Sequence, residues 1–280
     1  MKLLSVENLS ILVKGKPILE NVSFEVEQGD IFCVLGKNGS GKSTLLKSIL
    51  GLYPRLNSGN IRLTHFNLQQ TPRKIYLPLI GALIENASLY PHLTTLENLK
   101  VIASYYPNIR RTRIDEVLNI VGLGKERNKI VAQLSQGMKQ RLGIAIAILH
   151  KPKLILLDEP TNALDPEAIP QLRNLILTLH QTQNCTFILN THHLEEAERL
   201  ATKTIILREG KVIYRSWETE NLQLIEASTL TTDLEKRVLG YFTKLGKKYF
   251  LVNISDNSSN IAYKKPNIEE VFLALHHSVL

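Results

Sequence analysis

Three clusters of residues in this 280-residue chain have the types and spacing to act on a phosphorylated ligand. The first is Gly36-Lys37-Asn38-Gly39-Ser40-Gly41-Lys42-Ser43-Thr44, between the apolar run Ile31–Leu35 and a helical pattern at Leu45, Leu46, Ile49 and Leu50. Strand, glycine loop and helix in that order form a phosphate cradle. Gly36, Gly39 and Gly41 read as positive-φ positions that turn successive backbone N–H groups into one concavity. The helix opening near Lys42 adds the partial positive charge of its N-terminus. Lys42 would reach the β- and γ-phosphates of a nucleoside triphosphate, and the Ser43 hydroxyl would ligate Mg²⁺. The second cluster is Asp158-Glu159, at the end of the continuous apolar run Leu154–Leu157, a pattern that suits a central parallel strand buried on both faces. An Asp there holds Mg²⁺ opposite Ser43, and the neighbouring carboxylate polarises an attacking water. The third is His192, just past the apolar run Thr186–Asn190, where it would hydrogen-bond the γ-phosphate.

The elements that position these groups follow from hydrophobic periodicity. Residues 2–14 and the alternating stretch about Val22, Phe24 and Val26 predict strands. The helix after the glycine loop stops at Gly51, with Pro54 beyond it, and Gly59–Leu63 is a short strand. A strand runs into Glu85. Thr94 and Glu97 have capping-box spacing and open a helix to about Tyr106; residues 112–121 give another. Leu134–Arg141 leads into a helix ending near His150. Further helices are expected over 167–182, with Pro166 and Pro170 at its start, and over 194–201, followed by a hairpin about Glu209-Gly210. From about residue 216 the texture changes: a helical stretch around 231–244, a strand over 249–254, a polar loop over 256–260 and a helix over 267–276.

Composition excludes several classes. With 44% apolar and 21% charged residues the chain fits one large domain with a small appendage. Net charge is +8 and the pI about 9.4, yet the Lys and Arg are scattered with no run of five, which suits a solvated surface rather than a nucleic-acid partner. No window of 18 apolar residues occurs, and the N-terminus meets polar residues too soon for a signal peptide. Cys33 and Cys185 sit in strand-like apolar runs and read as buried free thiols of a reducing compartment.

Taken together, Gly36–Thr44, Leu134–Arg141, Leu154–Glu159, Ala163-Leu164-Asp165 and His192 resemble the nucleotide-binding domain of an ABC transporter, in that family's order and approximate spacing. The resemblance covers about residues 2–215. It implies an α/β fold: a P-loop NTPase with an ABC-type helical insertion, about 86–150, and an antiparallel β subdomain. Residues 216–280 form the small C-terminal α/β appendage. It further implies ATP and Mg²⁺ as ligands and a head-to-tail homodimer. There, ATP on one subunit's glycine loop is capped by Ser135 and Gly137 of the other, while Asp165 couples the two sites. The partner would be a separate integral membrane permease, with the chain peripheral on the cytoplasmic face of the membrane. Leu89, Tyr90, Leu93 and Leu96 are candidate contacts to that permease.

Three positions depart from the family pattern. Leu-Ser-Gly-Gly-Gln appears here as Leu134-Ser135-Gln136-Gly137-Met138. Val13 stands where an aromatic residue normally stacks on adenine, a loss on the order of 1 kcal/mol. Glu85 replaces a Gln that would offer a neutral carbonyl to Mg²⁺ and the attacking water. The stretch around Glu85, with Leu89–Thr94, Gly137–Gly143 and Asn267–Phe272, resembles the bacitracin-resistance and lantibiotic-immunity ATPases, which implies export of peptide antibiotics. Two other readings are a regulatory nucleotide-binding module and a soluble ABC-type ATPase. Intact Lys42, Asp158, Glu159 and His192 oppose the first; the absence of a long coiled coil or second cassette opposes the second.

Overall fold

A computed structural model describes residues 1–53, 56–85, 87–219, 221–226, 232–245, 247–254 and 264–276; Pro54 and the polar loop 256–260 lie outside them. The chain divides into two compact units, Met1–Val212 and Ile213–Leu280.

The first unit opens with β1 (Lys2–Val13) and β2 (Lys16–Glu27), paired antiparallel. Next come β3 (Ile31–Leu35), α1 (Lys42–Ile49), β4 (Ser58–Leu63), β5 (Phe66–Asn67), a single helical turn α2 (Arg73–Tyr76) and β6 (Ile80–Leu83). The helical segment follows: α3 (Thr95–Ala103), α4 (Arg111–Ile120) and α5 (Gln136–Ile148). The chain then returns to the sheet through β7 (Leu154–Asp158), α6 (Ala168–Gln183), β8 (Thr186–Thr191), α7 (Leu194–Leu200), β9 (Lys203–Arg208) and β10 (Lys211–Arg215). Two sheets result: an antiparallel one of order β2-β1-β4-β5, and a six-stranded one of order β10-β9-β3-β8-β7-β6.

Alternation along the central strands builds two cores. Leu154 and Leu156 of β7 join Phe32, Val34 and Ile188 in a core shared with β1, β2, β4 and α1. Ile155 and Leu157 join Ile31, Phe187 and Leu189 in a core shared with α4, α5 and α6. Because side chains alternate across a strand, a run buried on both faces must be apolar throughout. The capping box forms: Thr94 Oγ1 accepts from the Glu97 backbone N–H, and Glu97 Oε2 accepts from the Thr94 N–H at 2.8 Å. Cys33 is buried in β3, and burial, reinforced by the carboxylates of Glu159 and Glu196, pushes its thiol far above the ordinary range. Cys185 differs from expectation: it lies half-buried just ahead of β8.

The second unit holds β11 (Leu222–Glu226), a turn of helix α8 (Thr232–Glu235), β12 (Val238–Lys244), β13 (Lys247–Asn253) and α9 (Ile268–His276), its sheet ordered β11-β13-β12. The helix expected around 231–244 is therefore a correction: of its described residues only Thr232–Glu235 is helical, and after a turn Val238–Lys244 is a strand. Leu234, Val238 and Phe242 have helical spacing, but Val238–Lys244 pairs antiparallel with β13. Gly240 and Phe242 on one face are buried while Leu239 and Thr243 are exposed. Tertiary pairing overrides a short local pattern. Strand β11 has no counterpart in the sequence reading. α9 packs so closely on β12 that a Cβ at Gly240 would overlap the Ala274 carbonyl. Gly240→Val is therefore expected to destabilise the C-terminal unit by about 1–3 kcal/mol through overpacking, read as a lowered thermal transition, with the ATP affinity of the full chain unchanged.

Candidate functional site

Strand register assembles the site. β8 pairs parallel with both β3 and β7, with Leu35 opposite Thr191 and Asp158 opposite Asn190. Leu83 of β6 lies opposite Leu157. The glycine loop, Asp158-Glu159, His192 and Glu85 thus all leave the carboxyl edge of one parallel sheet, the edge where such sheets bind ligands. The Gly36 N–H donates to Thr191 O at 3.2 Å, tying the loop's first residue to the strand that carries His192.

Lys42 is 5% exposed and its ammonium is fully engaged. It donates to Gly36 O at 2.7 Å and Lys37 O at 3.2 Å, and lies 3.1 Å from Glu159 Oε1. The other carboxylate oxygen, Oε2, lies 2.7 Å from His192 Nδ1 and accepts the His192 backbone N–H at 3.3 Å. The carboxylate can only accept, so Nδ1 is the protonated ring nitrogen. Glu159 has a left-handed backbone, φ +49°, and Pro160 after it disfavours the right-handed α region. This turns the chain out of β7 at the residue where Glu159 meets Lys42 and His192. Asp158 is buried; its Oδ1 accepts from Asn190 Nδ2 at 2.9 Å, while its Oδ2 is buried without a hydrogen-bond partner. A buried carboxylate oxygen without a partner fits a cation ligand, and the half-buried Ser43 hydroxyl begins the facing helix.

The loop itself corrects one expectation. Gly39 and Gly41 have positive φ, 82° and 104°, but Gly36 does not. Gly36 is needed for space: a Cβ would overlap the Leu207 carbonyl and come within 2.6 Å of Ser40 Oγ. At Gly41 a Cβ would meet Leu19 Cδ2 at 2.7 Å and Ile18 O at 2.8 Å. The Gly210 N–H donates to Ser40 O at 3.0 Å, so the β9–β10 turn braces the loop from behind. Lys37, Asn38 and Gly39 are exposed at its tip, and Thr44 is half-buried in α1. α1 has no side-chain cap and no acidic residue in its first turn, which suits an anion at that end.

Glu85 sits at φ +60° and pairs with Lys47 of α1 at 2.7 Å. That hydrogen bond holds its carboxyl below the usual carboxylate range and raises Lys47. Ser135 caps α5, accepting the Met138 N–H at 3.3 Å, and is exposed; a Cβ on Gly137 would lie 3.0 Å from Ala168 Cβ at the start of α6. Asp165 is exposed, its carbonyl accepting from Ala168 N–H at 2.9 Å. Among the described residues, Ser135, Gly137 and Asp165 have no hydrogen bond to the glycine loop of their own chain. Val13 is half-buried against the core of β1 and β2. Of the permease candidates, Tyr90 is exposed and Leu89, Leu93 and Leu96 are half-buried, Leu89 and Leu96 packing on the second core. Asn190 and Lys47 were given no role by sequence reasoning. An amide closing the apolar run Phe187–Leu189 was the available signal for Asn190; nothing local marks Lys47. A cavity of about 710 Å³ beside Tyr106, Arg113 and His150 opens at the other edge of the sheet, next to Pro78 and Lys151 ahead of β6 and β7.

The ABC transporter family model matches residues 19–162. The bacitracin transport ATP-binding protein BcrA of Bacillus licheniformis is 41% identical over 206 residues, covering 74% of this chain and 67% of the relative. The lantibiotic transport ATP-binding protein SrtF of Streptococcus pyogenes is 38% identical over 211 residues, covering 75% and 89%. Among solved structures, a dimeric post-hydrolysis state of the ATP-binding cassette MJ0796 bound to ADP and Pi aligns with TM-score 0.68 at 26% identity, covering 76% of this chain and 97% of that one. A glycine loop, paired carboxylates and a histidine on one sheet edge, with these relatives, make this chain a member of the ABC transporter family, among its ATP-binding subunits.

Proposed function

We propose that the chain hydrolyses ATP to drive export of a peptide antibiotic through a separate membrane permease, conferring self-immunity or resistance. The observation that carries hydrolysis is Glu159, held between Lys42 at 3.1 Å and His192 at 2.7 Å, beside the buried Asp158. An arriving triphosphate competes for the Lys42 ammonium and draws it from Glu159 and the loop carbonyls. Glu159 then has one oxygen free to orient and deprotonate a water, while His192 fixes the other. With Nδ1–H given to Glu159, the neutral His192 keeps Nε2 as an acceptor, so it donates to a phosphate oxygen from Nε2 only as the imidazolium. Asp158 and Ser43 would hold Mg²⁺, which when bound neutralises charge on the β- and γ-phosphate oxygens.

Peptide export is supported by the likeness to BcrA and SrtF, whose names specify bacitracin and lantibiotic transport. No helix of the described residues is long and apolar enough to cross a membrane, so the translocating path belongs to another chain in this reading. The chain would then work at the inner face of the cell membrane. Exposed Ser135 and Asp165 support a head-to-tail dimer in which a second copy completes each ATP site.

Glu159→Gln is expected to lower kcat by about 10²-fold or more, the span of general base catalysis, and to trap an ATP-bound dimer visible by light scattering. Turnover near the parent's would refute the base assignment. Glu85→Gln removes an exposed ion pair with Lys47, so the thermal midpoint and ATP affinity are expected to hold. Its effect is expected on permease-stimulated turnover and on peptide resistance in cells; if both match the parent, Glu85 has no part in coupling.

A further inference from the structure

A largely buried ion pair outside the phosphate site joins the helix that follows the Asp165 loop to the helix that follows His192. Arg173 Nη2 of α6 lies 2.5 Å from Glu196 Oε1 of α7, with side-chain exposures of 13% and 5%. α6 starts three residues after Asp165, whose carbonyl accepts the N–H groups of Ala168 and Ile169, so that loop and the first turn of α6 are one hydrogen-bonded piece. α7 starts two residues after His192, and Glu196 lies in its first turn. The Ala197 N–H donates to His193 O at 3.4 Å, and the His193 N–H donates to Thr191 Oγ1 at 3.0 Å, so the histidine segment is fastened to α7. The pair is a strut between the Asp165 loop and the His192 segment. The exposed Glu195 also faces Arg173, at 3.6 Å, and is held by Arg199 at 2.9 Å.

Stability alone does not explain a charged pair here. Arg173 Nε and Glu196 Oε2 are buried with no hydrogen-bond partner. Each such atom is a desolvation penalty that an apolar pair of similar volume would avoid, and such replacements are often neutral or stabilising. What an apolar pair lacks is direction: a guanidinium–carboxylate contact fixes the rotation and spacing of two helices where greasy side chains slide.

We propose that Arg173 and Glu196 are positioning residues that keep His192 set against Glu159 in register with the Asp165 loop, so that the state of the loop is transmitted to the histidine. The proposal rests on the hydrolysis reading above and adds to it a pair that touches neither nucleotide nor water.

The test compares the full chain with Arg173→Met/Glu196→Leu, measuring thermal midpoint, kcat and KM for ATP, and the imidazole ¹⁵N resonances of His192. The double variant is expected to melt no lower than the parent, to lose about ten- to a hundredfold in kcat from misplaced groups with KM nearly unchanged, and to show His192 resonances moved toward those of Glu159→Gln. A folded double variant with the parent's kcat and unmoved resonances overturns the proposal. Should it fail to fold, Glu196→Gln keeps the shape and loses the charge; the same shifts at smaller size support the proposal, and parental values overturn it. A parent chain without turnover, even with its membrane partner, refutes hydrolysis alone, and the His192 resonances then decide the role of the pair.

Discussion

A buried ammonium must have its charge met, and at Lys42 the partners are two loop carbonyls and one carboxylate. Much of the site follows from that demand. The carboxylate comes from Glu159, whose second oxygen is taken by His192, whose strand in turn accepts the first N–H of the glycine loop. In the proposed reaction a phosphate that takes the Lys42 ammonium as its partner competes with Glu159 and the two loop carbonyls for it. The arrangement needs three strand ends at one level, which the parallel register of β3, β8 and β7 supplies.

The two cores divide the labour. The core of β1, β2, β4 and α1 backs the glycine loop, while the core beneath α4, α5 and α6 carries Ser135 and Asp165. Both are anchored on alternate residues of the same strands, so a shift of one strand is felt on both faces. Glu85 and Lys47 bridge α1 to the start of the helical segment at the surface. This contact is exposed and therefore weak.

Much of the site was legible because its signals are local: glycines at fixed offsets between a strand and a helix, or carboxylates ending an apolar run. The sheet was legible because strands buried on both faces leave continuous apolar stretches. What escaped was non-local. Lys42 and Glu159 are far apart in sequence, and only the fold makes them an ion pair. Arg173 and Glu196 look like ordinary charges on helix faces. Gly36 was assigned to backbone conformation, but its reason is a carbonyl from β9. Val238–Lys244 was misread because its apolar spacing suits a helix, and its true partner, β13, could not be inferred from one short stretch.

Much of the back of the glycine loop is backbone, with the Leu19 side chain beside it. Gly36 faces the Leu207 carbonyl, Gly41 faces the Ile18 carbonyl, and Gly210 donates to Ser40 O. A wall of that kind offers few side chains to repack, so substitution behind the loop has little means of adjusting how tightly phosphate is held. Side chains that could adjust nucleotide affinity lie instead at the front: the exposed tip Lys37-Asn38-Gly39, and positions such as Val13. The loop is in that sense a fixed part, and the adjustable side chains of the site lie in what faces it.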